Sequence, residues 1–233
     1  MKNKNLVFVL FLLCATCVFS KPTFSLSWEN SFLTGKADFE QINKLYDWNY
    51  EEKMKGGQSL LTFRSQFNKY FSLGIGSGIG INKLNYASTS DFNNTDLLIP
   101  DSIPVGYVPI FGELRGILPI NGDLLSLYLS SKIGGSILWQ EFRGWKIIDY
   151  SAPFLEYDYF FAGGFFFEPE FGVSLKLKRF LLDLGAGYHL QKLKYEVNKY
   201  DRYGKLEYEK TYPFDIKQFF VKLGLGIQFG KIK

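Results

Sequence analysis

The stretch KYFSLGIGSGIGINKL, Lys69 to Leu84, places glycine at 74, 76, 78 and 80 and bulky apolar residues at 71, 73, 75, 79 and 81. Two readings compete for it. A dinucleotide-binding loop needs G-x-G-x-x-G at a turn between a strand and a helix, so that the helix N-terminus faces a pyrophosphate. Counted from Gly74 the sixth residue is Ile79, and counted from Gly76 it is Ile81, so the spacing fails both ways. No helical period follows, because Asn82 to Pro104 is rich in Asn, Asp, Ser and Thr. What remains is a period of two, which in a strand sends Phe71, Leu73, Ile75, Ile79 and Ile81 to one face and the glycines to the other.

The same alternation recurs along the chain, giving eight strands. In TFSLSWENSF, Phe24, Leu26, Trp28 and Phe32 oppose Ser25, Ser27, Glu29 and Ser31. In SLLTFRSQF, Leu61, Phe63 and Phe67 oppose Thr62, Arg64 and Gln66. The third strand is the opening stretch. In the fourth, IPVGYVPIFGELRGIL, Ile110, Leu114 and Leu118 oppose Phe111, Glu113 and Arg115; in the fifth, Leu127, Leu129 and Ile133 oppose Tyr128, Ser130 and Lys132. The sixth, FFFEPEFGVSLKL, sets Phe165, Phe167, Phe171 and Val173 against Phe166, Glu168, Glu170, Gly172 and Lys176. The seventh sets Leu182, Leu184 and Tyr188 against Asp183, Gly185, Gly187 and His189, and the eighth sets Val221, Leu223, Leu225 and Ile227 against Phe220, Lys222, Gly224 and Gly226.

Connections alternate in length. The joins near Asn68-Lys69, Pro119 to Asp123 and Lys178-Arg179 are short enough for hairpin turns, whereas about 34–57, 83–103, 139–159 and 198–213 are long loops, all at one end.

Two architectures use such strands: a soluble barrel, with the apolar face inward, and a membrane barrel, with the apolar face toward lipid. Glycine on a water-exposed face gains nothing and costs backbone entropy. In an eight-stranded barrel whose interior is just wide enough for side chains, glycine instead makes room for long polar neighbours. The expected fold is therefore an all-β, eight-stranded antiparallel transmembrane up-and-down barrel with its polar face inside. That face carries Glu29, Glu113, Glu168, Glu170 and Asp183 against Arg64, Arg115, Lys132, Lys176 and Lys222, a balanced lumenal charge network. Counting up from the turns pairs Lys132 with Glu170, Lys176 with Asp183, and Glu29 with Lys222. Trp28, Tyr86, Tyr107, Tyr159, Tyr188 and Tyr195 fall toward strand ends, as interfacial girdles require.

The ends and the composition agree. Lys2 and Lys4 precede an apolar run from Leu6 to Phe19, too short to span a bilayer as a helix, and Val18 and Ser20 are spaced for cleavage after Ser20. Residues 1–20 thus read as a signal peptide and 21–233 as the barrel. A lipoprotein signal is the rival, but neither Cys14 nor Cys17 follows the usual small-residue box. Both cysteines lie in the signal, which removes disulfides and thiolate metal sites from the mature chain. Cleavage also removes two lysines and no acids, taking the formal charge of +4 toward neutrality, against the concentrated basic face that nucleic acid requires.

These strands carry a family resemblance. IPVGYVPIFGELRGIL, GGFFFEPEFGVSLKL and the final VKLGLGIQF make the chain similar to the small eight-stranded outer membrane barrels of the OmpX and OmpW type, in particular the PorT-like outer membrane β-barrel group of Bacteroidetes. The resemblance implies residence in the bacterial outer membrane, contact with its lipid, and recognition of the last strand by the barrel-insertion machinery. It also implies a non-enzymatic structural or surface-interaction role, with a place in a secretion apparatus as a variant. Phe229 departs from the pattern in being followed by GKIK instead of ending the chain.

A lipid-modifying acyl hydrolase or transferase is the alternative from another class. His189 is the one histidine, and its local text GYHLQKLKYE holds no serine, while Asp183 lies six residues below it on the same strand. Glu168 and Glu170 share a face, but among so many bases they are better suited to ion pairing than to acid–base work. No catalytic, metal or cofactor-binding residue is assigned. Function then falls to the stability of the envelope or to the long loops, where Tyr46, Trp48, Tyr50 and Trp145 lie among charges in a manner suited to a protein or glycan partner.

Overall fold

A computed structural model describes residues 23–38, 50–86, 102–122, 124–142, 158–200 and 206–230. Eight strands follow in chain order: β1 (Thr23–Ala37), β2 (Tyr50–Asn68), β3 (Phe71–Tyr86), β4 (Ser102–Asn121), β5 (Leu125–Phe142), β6 (Asp158–Leu177), β7 (Phe180–Tyr200) and β8 (Leu206–Phe229). Each pairs antiparallel with its sequence neighbours, and β1 pairs with β8, closing the barrel. Closure leaves no sheet edge with unpaired backbone, the condition for placing strands in lipid.

The register can be followed once around the wall, through Ser27, Thr62, Gly76, Phe111, Gly134, Phe166, Gln191 and Ile216, back to β1 at Ala37. The path returns ten residues above its start, and for eight strands that stagger corresponds to a tilt of about 40°.

Burial settles which face is inside. Phe32 is 77% exposed and Ile75 68%, whereas Glu29 and Lys132 on the opposite face are 0% exposed. An apolar exterior around a charged interior is stable only with lipid outside, so the chain is a transmembrane barrel. Trp28 and Tyr188 face outward, and Trp28 Nε1 donates to Ser59 Oγ at 2.6 Å, which keeps its N–H partnered at the lipid face. Tyr107, expected in the girdle, instead points inward and is fully buried; its odd-numbered place on β4 matches that of Phe111, Glu113 and Arg115.

The glycine face of β3 has a specific use. Gly80, Gly76 and Gly74 are the register partners of Tyr107, Phe111 and Glu113 on β4. A Cβ on Gly80 would overlap the Tyr107 ring, and one on Gly76 the Phe111 ring. Elsewhere Tyr128 lies against Gly172, Phe166 against Gly134 and Phe220 against Gly187. Large inward rings are thus each set opposite a missing side chain. The expectation of room for polar groups holds at Gly74, where the space goes to Glu113 and Arg64, at Gly185 beside Glu170 and at Gly224 beside Asp183 and Glu29, but two of the β3 glycines accommodate aromatic rings.

Strands run further than the expected loop bounds of 34–57, 83–103, 139–159 and 198–213: β1 continues to Ala37, β2 starts at Tyr50, and β7 and β8 pair up to Tyr200 and Leu206. Above the apolar band the outward positions become polar, so alternation fades while the backbone ladder continues. At the other end the turns are tight, with Lys178 (φ 58°) and Gly122 (φ 55°) in the left-handed region.

Candidate functional site: the lumenal network

Nearest the short turns, Arg115 of β4 reaches across to Asp183 of β7 with two bonds of 2.6 and 3.1 Å, a bidentate pair. Its guanidinium lies 3.6 Å from the centre of the Tyr128 ring, adding a cation–π contact. Arg64 of β2 donates from Nε to Glu113 Oε2 at 2.5 Å and from Nη1 to Ser27 Oγ at 2.7 Å, and Nη2 also pairs with Glu29.

The middle layer is a square of alternating charge. Lys132 Nζ lies 2.9 Å from Glu29 and 3.3 Å from Glu170, and Lys222 Nζ lies 3.1 Å from Glu29 and 2.5 Å from Glu170. Tyr128 donates its hydroxyl to Glu170 Oε1 at 2.5 Å. All four corners are at most 1% exposed. Buried charge on this scale is tolerated because every ion meets two of opposite sign.

Above the square sits a mixed layer. Glu168 Oε1 takes Gln58 Nε2 at 2.8 Å and His189 Nδ1 at 2.6 Å, and Tyr107 donates to Gln58 Oε1 at 2.9 Å. His189 stacks on Phe166 at 5.8 Å between ring centres, and Phe166 meets Phe111 edge-on at 6.0 Å. With Leu60 these two phenylalanines form a small apolar plug inside the lumen. Higher still, Gln218 Nε2 donates to Asn82 Oδ1 at 3.0 Å.

The structure thus brings Lys132 to Glu170 and Glu29 to Lys222, along with Arg64, Glu113, Arg115, Glu168 and Asp183. Lys176 stands apart. Asp183 pairs with Arg115 instead, while Lys176 is half-buried at the turn-side mouth and makes no ion pair among the described residues. The planar fork of Arg115 grips both carboxylate oxygens, which a point-charge ammonium cannot do, and Lys176 keeps its water. Among the described residues five buried carboxylates therefore face four buried Lys and Arg cations, and Glu168 is hydrogen-bonded by His189.

His189 and Glu168 escaped the sequence argument because the search for an acid stayed on β7, whereas the partner comes from β6. Shared inward parity was the available signal. Gln58, Gln191, Gln218 and Asn82 are also inward and buried. Tyr46, Trp48 and Trp145 lie outside the described residues, as does the side chain of Tyr50.

The upper layer bears on the enzyme alternative. Glu168, His189, Gln191 and Ser136 form a hydrogen-bonded chain, but Gln191 stands between the imidazole and the hydroxyl. His189 is 0% exposed and Ser136 3%, inside the lumen and away from acyl chains. A hydrolase needs direct contact between base and nucleophile and a path for substrate. Among the described residues, no group of three or more His, Cys, Asp and Glu is placed to hold a metal ion.

No protein-family model and no curated protein matches the chain. Among solved structures the chain is similar to the outer membrane protein OprG from Pseudomonas aeruginosa, at 12% identity and a TM-score of 0.61, over 91% of this chain and 98% of that one. Neisserial surface protein A aligns at 10% identity and a TM-score of 0.45, over 90% of this chain and 100% of that one. Ail of Yersinia pestis, solved with a heparin analogue, aligns at 13% identity and a TM-score of 0.44, over 90% and 99%. At such identity the OprG likeness is one of fold: a closed eight-stranded barrel of the outer membrane.

Proposed function

We propose that the protein is a sealed, non-enzymatic outer membrane barrel that serves the envelope as a structural element and acts through its outer end. The observation that carries this reading is the layered lumen, in which Arg115–Asp183, the Glu29–Lys132–Glu170–Lys222 square and the Phe111–Phe166 plug succeed one another with almost no exposed surface. A lumen filled in this way offers no continuous water path for solute flux.

The test is electrical. Protein inserted in a planar lipid bilayer gives no stable conductance steps, whereas Phe111→Ala combined with Phe166→Ala, which empties the plug, gives brief openings. Stable steps from the unaltered protein would overturn the sealed reading. A place in a secretion apparatus is one use of such an outer end; it rests on the sequence resemblance, and co-purification of the barrel with a secretion complex tests it.

A further inference from the structure

At the short-turn end the lumen opens into a cavity of about 90 Å³, whose mouth is bounded by Lys69 and Gly122 of the turns and whose floor is the Arg115–Asp183 pair. Its charges do not balance. Asp183 is held by both Nη atoms of Arg115, at 2.6 and 3.1 Å, with Arg64 Nη1 3.8 Å away, and Arg64 is itself bonded to Glu113. Those four charges cancel. Lys176, half-buried on β6, and Lys69, exposed and 4.8 Å from the centre of the Tyr70 ring, line the same cavity and make no ion pair among the described residues. They leave its wall with a surplus of two positive charges among the described residues; Asp123, the next acid in the sequence, lies outside them.

The neutral groups of the wall are unmatched as well. Ser72 and Arg115 are register partners on β3 and β4, and Ser72 Oγ and Arg115 Nε are buried donors without a hydrogen-bond partner in the protein. Gln228 turns its Nε2 to Thr23 Oγ1 at 3.1 Å and to Gln66 Oε1 at 3.4 Å, which leaves Gln228 Oε1 an acceptor without a partner. Unmet buried polar groups are costly and uncommon. Here three of them line one cavity, two donors and one acceptor, beside two spare ammonium groups.

We infer that this cavity is a binding site for inorganic hydrogen phosphate, entered from the periplasm, the side that short turns face in outer membrane barrels. Two negative charges answer Lys69 and Lys176. The phosphate oxygens accept from those ammonium groups and, after small side-chain turns, from Ser72 and Arg115 Nε, while the one P–OH donates to Gln228 Oε1. Sulfate and a phosphate monoester carry the charge but no proton to donate, and a carboxylate carries neither the second charge nor the donor. The cavity has about the space of three waters, enough for one such ion. This site lies at the opposite end from the long loops and stands independently of the sealed, structural reading.

The test is equilibrium dialysis of radiolabelled inorganic phosphate against the barrel folded in phosphate-free non-ionic detergent, at pH 8 and constant ionic strength, with sulfate, glycerol 3-phosphate and acetate as competitors. One phosphate binds per barrel, and each competitor is weaker by about tenfold, the loss of one charge-assisted hydrogen bond. Lys176→Gln, with folding checked by the heat-dependent gel shift, weakens phosphate binding by about tenfold, and Lys176→Arg retains it. Gln228→Leu erases the preference for phosphate over sulfate, which a merely structural role for Gln228 would not do. Lys192→Gln, at the far end of the barrel, leaves binding intact. Absence of saturable phosphate binding would overturn the inference, as would equal competition by sulfate or undiminished binding in Lys176→Gln.

Discussion

Glu170→Gln removes one corner of the buried square while leaving its volume unchanged. The side chain touches Lys132 at 3.3 Å and Lys222 at 2.5 Å. At an effective dielectric near 20, a unit-charge contact of this length amounts to about 5 kcal/mol of Coulomb attraction, part of it offset by the desolvation of the ions themselves. Both lysines keep Glu29, at 2.9 and 3.1 Å, but the square is left with one surplus cation. Breaking a buried pair from one side costs about 3–5 kcal/mol, and Lys132→Gln costs a similar amount for the opposite reason. The double variant restores neutrality, so its cost is no more than that of either single change, a coupling of about 3 kcal/mol. Urea unfolding in lipid vesicles, followed by the gel shift between folded and unfolded bands, measures it. With m near 2–3 kcal/mol/M each single variant lowers the midpoint by about 1–2 M. A double variant whose loss equals the sum of the two singles would refute the reasoning, because the four ions would then be independent.

Three further outcomes follow from named contacts. Gly80→Val forces the Tyr107 ring from its place and destabilises by about 1–3 kcal/mol, and adding Tyr107→Ala recovers part of the loss in the same urea titration. Asp183→Asn costs about 3 kcal/mol because Arg115 is left unpaired, whereas Lys176→Gln stays within about 0.5 kcal/mol; equal losses would restore the Lys176–Asp183 pairing that the structure replaces. Ile79→Arg, on the lipid face at 55% exposure, destabilises the barrel in vesicles by up to about 2–4 kcal/mol, and a neutral result would mean that this face does not meet hydrocarbon.

How far the sequence could be read depended on the length scale of the signal. Period-two alternation is local, so strand identity and facing were legible from Phe71 to Ile81 and on through β8. The pairs Glu170–Lys132 and Glu29–Lys222 were legible as well, because each joins neighbouring strands, whereas Glu29–Lys132, which spans the lumen from β1 to β5, was not. Arg115 with Asp183 was not. These residues belong to β4 and β7, and their meeting depends on the barrel's diameter, which no pairwise register contains. Tyr107 was misplaced for a related reason: tyrosine near a strand end is compatible with a girdle or a lumen, and parity with Phe111 decides only once Gly80 is known to lie opposite. Strand ends were blurred because polar residues occupy both faces above the membrane.

The distribution of charge connects the interior with the lipid-facing surface. Inside, carboxylates nearly cancel cations, as a low-dielectric lumen requires. The described surplus of positive charge is therefore carried at the two ends of the apolar band, by outward lysines such as Lys36, Lys53, Lys83, Lys192 and Lys217 on one side and by Lys69, Lys178 and Arg179 at the short turns on the other, all exposed. Lysine stems can lie along apolar surface while their ammonium groups reach the headgroups, so cations at both borders oppose vertical movement of the barrel in either direction. Among the described residues the turn-side cations are spread over two hairpins, and the outer ones lie on β7, β8, β1, β2 and β3. Vertical position needs only that both borders be charged.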